Sequence, residues 1–92
     1  MNERREEEQK RQAMEKFSEL YDVVKALRAE DGCPWDRAQT HSTLKPFLIE
    51  EAYETVDAVS TLEKGEGTAA LVEELGDLLF QVMLHSEIGR QE

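Results

Sequence analysis

The stretch Glu63-Lys64-Gly65-Glu66-Gly67 most constrains how this chain can fold. It separates two runs of helical apolar spacing and must turn one back on the other. The run before it carries Glu50-Glu51-x-x-Glu54, and the run after it carries Glu74-x-x-Asp77. At about 100° per residue, Glu50 and Glu54 lie roughly 40° apart, and Glu51 and Glu54 roughly 60° apart. Glu74 and Asp77 repeat the i,i+3 spacing that makes side chains neighbours on a helix. Glu54 precedes Leu62 by about 12 Å of helix axis, and Glu74 follows Thr68 by about 9 Å. The two acidic groups therefore meet at nearly the same height across a hairpin. Like charges so placed repel and need a cation between them. Oxygen-only ligands suit Mg²⁺ or Mn²⁺.

Charge is concentrated around that hairpin. Residues 1–12 carry four acids and four bases, so the net charge of −10 resides in 13–92. Between Glu50 and Asp77 nine acids face one base, Lys64. An acidic chain without a basic stripe argues against nucleic-acid or anionic-membrane partners. A nucleotide is compatible, because metal ions can hold its phosphates. Cys33 is the only cysteine, which excludes an internal disulfide and fits an intracellular, cytoplasmic setting. No signal peptide is visible, and no apolar stretch approaches bilayer length.

The elements read as all-α. Residues 1–12 form a charged extension, either a solvated helix or a frayed tail. A helical domain spans 13–92. Its first helix carries Met14, Phe17, Leu20, Tyr21, Val24 and Leu27, and ends near Glu30-Asp31-Gly32 with Gly32 as the residue after the cap. Cys33-Pro34 cannot continue it, and a loop of roughly ten residues leads to Ser42-Thr43 as caps of a second helix, with Pro46 in its first turn. That helix turns Phe47, Leu48, Ala52, Val56 and Val59 inward, with Ile49 and Tyr53 widening the stripe. Thr68 caps a third helix bearing Leu71, Leu75, Leu78, Leu79, Val82 and Met83. Three helices with faces this wide do not close a four-helix bundle alone. A homodimer or higher even oligomer is expected to complete a four-helix-type bundle.

A solvated acidic face would interleave Lys or Arg at i+4, and these helices do not. A di-iron carboxylate bundle would need Glu-x-x-His, and no histidine stands three residues after Glu51, Glu54 or Glu74. His85 reads as a surface or interface histidine. No EF-hand loop or phosphate-binding glycine loop is present.

Cys33-Pro34-Trp35-Asp36, Gln39-Thr40-His41, Leu44-Lys45-Pro46-Phe47, Glu50-Glu51-Ala52-Tyr53-Glu54 and Glu74-Leu75-Gly76-Asp77-Leu78-Leu79 together resemble the MazG-type nucleoside triphosphate pyrophosphohydrolases, over roughly residues 17–88. Dimeric dUTPases and phosphoribosyl-ATP pyrophosphohydrolases lack the Cys-Pro-Trp-Asp support. The resemblance implies an all-α, dimeric enzyme that hydrolyses a nucleoside triphosphate to the monophosphate and pyrophosphate with Mg²⁺. It implies Glu51, Glu54, Glu74 and Asp77 as metal ligands, and Glu50 as a further ligand or the base that activates water. Trp35 is then expected to stack on a base, or to anchor its loop, and Gln39 and Lys45 to reach polar groups of the substrate. The family usually continues into a further helix and an Arg-rich, His-Pro-containing segment, so the domain reads as truncated at the C-terminus, as a compact variant that borrows cations from another subunit, or as a domain with weak activity. The rival reading is a non-catalytic helical self-association module whose acidic patch binds metal incidentally.

Overall fold

Asn2 starts the first helix, α1 (Glu3–Arg28): its side chain accepts from the Arg5 amide at 2.9 Å. Glu3 and Glu6 at the beginning, with Lys25 and Arg28 at the end, complement the helix dipole. These helices come from a computed structural model that describes residues 2–92. The charged extension is thus helical from Glu3 and continuous with α1; Met1 lies outside the described residues.

Helix α1 stops at Arg28, earlier than the sequence suggests, and Gly32 is not its left-handed cap. The chain instead folds back across the helix end, where the Cys33 amide donates to the Leu27 carbonyl at 3.0 Å and that of Gly32 to Ala29 at 2.8 Å. A Cβ at Gly32 would collide with the carbonyl oxygens of Ala26 and Leu27. Close approach, not a positive φ, requires glycine there.

The expected ten-residue loop contains a short helix, α2 (Pro34–Ala38), with proline at its first position. Helix α3 (His41–Glu63) begins before Ser42-Thr43, because Thr40 and Thr43 form a reciprocal capping box. Pro46 consequently lies in the second turn and removes the donor that would have met the Ser42 carbonyl. At the other end Gly65 takes φ 78°, its amide donates to Leu62, and that of Glu66 donates to Thr61. These are the two bonds of a Schellman stop. Gly67 also has positive φ, and α4 (Ala69–Gln91) then runs back along α3. Thr68 occupies the N-cap but its side chain makes no capping bond.

The α3–α4 hairpin is the most extensive contact, and α1 packs on α4 and α2. Val24, Leu44, Met83, Leu84 and Ile88 form the core, with Leu20 and Phe80 against it. Arg28 locks the corner: its guanidinium donates to the Asp36 and Gln39 carbonyls at 2.6 and 2.9 Å, and to Gln91 Oε1.

The second helix does not turn the expected stripe inward. Phe47, Ala52, Val56 and Val59 are exposed, and Leu48 is half-buried. Leu44, Leu48, Glu51, Thr55 and Ala58 are the more buried positions. The displaced stripe runs Ile49, Tyr53, Val56, and on α4 Val72, Leu75, Leu79 and Val82 are exposed at similar spacing. Both stripes lie roughly 80–160° round from the packed seam, in the same sense. In antiparallel helices a rotation of the same sense places them on one side of the hairpin. Met14, Phe17 and Tyr21 on α1 are exposed as well, lining an apolar groove of about 470 Å³. The molecule is a slab, 44 × 34 × 18 Å. By the same geometry Glu54, Glu73 and Asp77 lie on the other side of the seam from the α3 and α4 stripes.

Candidate metal and substrate site

Thr55 fixes the height at which the carboxylates meet. Its hydroxyl donates to the Glu51 carbonyl at 2.7 Å and lies 3.4 Å from the Glu74 carbonyl across the seam. One carboxylate oxygen each from Glu51, Glu54 and Glu74 then lies within 4.8 Å of the others. All three residues are half-buried. Glu73, Glu74 and Asp77 form a second such group on the more exposed side. Glu50 stands outside both groups, exposed, about 100° round α3 from Glu51.

The electrostatics follow from this crowding. The Glu51 carboxyl is raised above the usual range by burial first, then by the charges of Glu54 and Asp77. Glu74 is pushed up to about 7, chiefly by hydrogen bonding with Glu54, then by burial and by the charges of Glu54 and Asp77. Two ionised carboxylates cannot hydrogen-bond each other, so that bond exists only while one of them holds a proton. Glu51 Oε2 and Glu74 Oε2 are out of solvent contact and have no hydrogen-bond partner. Buried, unpaired oxygens converging from two helices fit a hard divalent cation, which would satisfy them together.

The other expected residues are distributed differently. Trp35 is exposed and sits edge-on to Phe47, with centroids 6.1 Å apart. Phe47 is seven residues before Glu54, so it lies about 20° round and about 10 Å along the same strip of α3. Gln39 is engaged locally: its amide donates to the Trp35 carbonyl at 3.0 Å and accepts from Thr43 Oγ1 at 2.8 Å. Lys45 is exposed about 180° round α3 from Glu54. His85 is not a surface histidine but half-buried, its Nδ1 2.8 Å from that of His41 across the hairpin. Sequence reasoning missed Glu73, whose i,i+4 relation to Asp77 was the available signal, and it missed Phe47, assigned instead to the interior. The α1 groove has Lys10, Ser18 and Tyr21 as its only polar lining groups; it marks an uncovered apolar face.

The helical hairpin brings carboxylates from both arms to one height, a group with the geometry to hold a metal ion. More narrowly, the chain belongs to the MazG nucleotide pyrophosphohydrolase domain family, whose model matches residues 39–92. It is 48% identical over 75 residues to the nucleoside triphosphate pyrophosphohydrolase/pyrophosphatase MazG of Thermotoga maritima, covering 82% of this chain and 28% of that protein. It is 40% identical over 80 residues to the nucleoside triphosphate pyrophosphohydrolase of Escherichia coli K12, covering 86% of this chain and 29% of the relative. An uncharacterized protein of Bacillus subtilis, YabN, is 46% identical over 76 residues, covering 83% of this chain and 15% of its own length. The chain thus spans less than a third of these relatives. No solved structure matches it. No helix among the described residues is long and apolar enough to cross a membrane.

Proposed function

We propose that this chain is a Mg²⁺- or Mn²⁺-dependent nucleoside triphosphate pyrophosphohydrolase, acting as a homodimer or higher even oligomer in the cytoplasm. The observation that carries the activity is the convergence of Glu51, Glu54 and Glu74, with the Glu51 and Glu74 oxygens buried and unpaired. Together with Asp77 they would hold the cation, which when bound supplies neutralisation of charge on the phosphate oxygens. Glu50, on the exposed rim of that cluster, is the base. It orients a water toward the α-phosphorus and takes its proton as the new P–O bond forms. The bond from the α-phosphorus to the bridging oxygen breaks, and pyrophosphate leaves. Trp35 presents an open ring for the base, and Gln39 steadies it through the backbone. The test is pyrophosphate release from a panel of nucleoside triphosphates with and without Mg²⁺. Stoichiometric monophosphate and pyrophosphate only with metal is the expected result; orthophosphate release, or no release from any nucleotide, would sink the reading.

The exposed stripes carry the oligomer. Each large apolar side chain left in water forgoes about 1.5–3 kcal/mol. Two copies packing these stripes together would close the four-helix-type bundle that one slab cannot. Light scattering at micromolar concentration should give an even multiple of the chain mass, and Leu79→Asp should shift it toward the monomer. A wild-type monomer would refute this assembly. The same stripes favour the rival reading of a non-catalytic association module, for which the even multiple would persist while every nucleotide remained intact.

A further inference from the structure

One polar group on the acidic side of the hairpin is not used by the reading above. Gln81 stands four residues beyond Asp77 and seven beyond Glu74 on α4, so it continues their strip at about one turn's distance. Its Oε1 is out of solvent contact and has no hydrogen-bond partner. Two contacts set the register across the seam: Thr55 with Glu74, and His41 with His85. Between them Gln81 falls opposite the turn of α3 at residues 45–48. It is thereby next to the turn of α3 that carries Phe47, whose ring meets the exposed indole of Trp35. Read along one strip, the order is carboxylates, then a buried amide without a partner, then an open aromatic pair. A buried acceptor left unpaired is unfavourable, and an evolved seam would more readily hold a leucine there unless something donates to it.

We infer that Gln81 is a substrate-binding residue for the nucleoside half of the nucleotide, its amide oxygen accepting a hydrogen bond from a sugar hydroxyl. This rests on the proposed function and gives the substrate a direction. The phosphates lie on Glu51, Glu54 and Glu74, the sugar lies about two turns beyond Glu74 along α4 at Gln81, and the base reaches Phe47 and Trp35. The order matches the covalent order of a nucleotide.

Gln81→Met separates this role from a structural one, because it keeps length and volume while removing the amide. Calorimetric titration with Mg²⁺ would compare non-hydrolysable α,β-methylene ribonucleotides, their 2′,3′-dideoxy counterparts and inorganic tripolyphosphate. Trp35 is the only tryptophan, so its fluorescence reports base contact independently. The variant should bind the ribonucleotide about tenfold more weakly, the size of one neutral hydrogen bond. Its affinities for the dideoxynucleotide and for tripolyphosphate should be unchanged. Its melting temperature should hold or rise, since an unpaired buried polar atom has been removed. Equal ribonucleotide affinity in wild type and variant would overturn the inference and leave the metal site intact. Equal losses for all three ligands with a lower melting temperature would assign the amide to holding the helices. Equal losses for the ribonucleotide and the dideoxynucleotide, with tripolyphosphate unaffected, would move the contact from sugar to base and overturn the assignment. Wild-type protein that binds tripolyphosphate no better than water, and no nucleotide, would defeat the proposed function itself.

Discussion

Glu50→Gln should lower turnover by roughly two or more orders of magnitude while metal affinity changes far less than in Glu51→Gln. The scale is that of a general base lost from a reaction that still has its substrate in place. The amide keeps the shape of the side chain and removes the oxygen that can accept a proton. The two neighbours separate cleanly because they point in different directions. Glu51 lies in the seam, half-buried, with one oxygen unpaired and its carboxyl raised by burial and by the charges of Glu54 and Asp77. Glu50 lies on the rim, about 100° round the helix, where a water can reach it from solvent. Steady-state kinetics with titrated Mg²⁺ would give both quantities for both variants. Near-full turnover in Glu50→Gln would remove it as the base. Loss of metal affinity equal to that of Glu51→Gln would make it a ligand.

The hairpin and the meeting of its acids were legible because both depend on local rules. Gly65 and Gly67 both take positive φ, and glycine is the residue that does so without strain. The i,i+3 spacings of Glu51 with Glu54 and of Glu74 with Asp77 then needed only similar arm lengths for Glu51, Glu54 and Glu74 to converge. What failed was the assumption that apolar means inward within one chain. The seam between α3 and α4 carries Glu51, Thr55, Glu74 and Gln81, while Ile49, Tyr53, Val56, Leu75 and Leu79 face out. Periodicity reports that a helix has an apolar face, but not which neighbour covers it. Helix α2 was missed for a different reason: five residues are too few to show a period, although Pro34 was a readable start. The His41–His85 pair joins positions 44 residues apart, and no local signal in one sequence connects them.

Mg²⁺ should raise the melting temperature by on the order of 10 °C when free metal is about 100 times its dissociation constant, and the increment should grow from pH 5.5 to pH 8. The direction comes from Glu74, whose carboxyl is pushed up to about 7 by hydrogen bonding with Glu54, by burial and by neighbouring charge. In the unfolded chain the same group titrates in the ordinary carboxylate range. Between the two values the folded state binds the extra proton. Without metal, this group's contribution to stability is therefore greatest at low pH and declines as pH rises toward and through 7. The proton holds the Glu54–Glu74 pair together, and a cation does the same work only after displacing it. Metal binding accordingly releases a proton at pH 5.5 and competes poorly, whereas at pH 8 it meets a site already ionised and self-repelling. Thermal melts at both pH values, with and without Mg²⁺, would show the two trends with opposite sign. Glu54→Gln should flatten the metal-free trend and reduce the metal increment, because it removes the partner that raises Glu74 along with one ligand. An increment that is equal at both pH values, or that survives unchanged in Glu54→Gln, would place the cation elsewhere on the molecule.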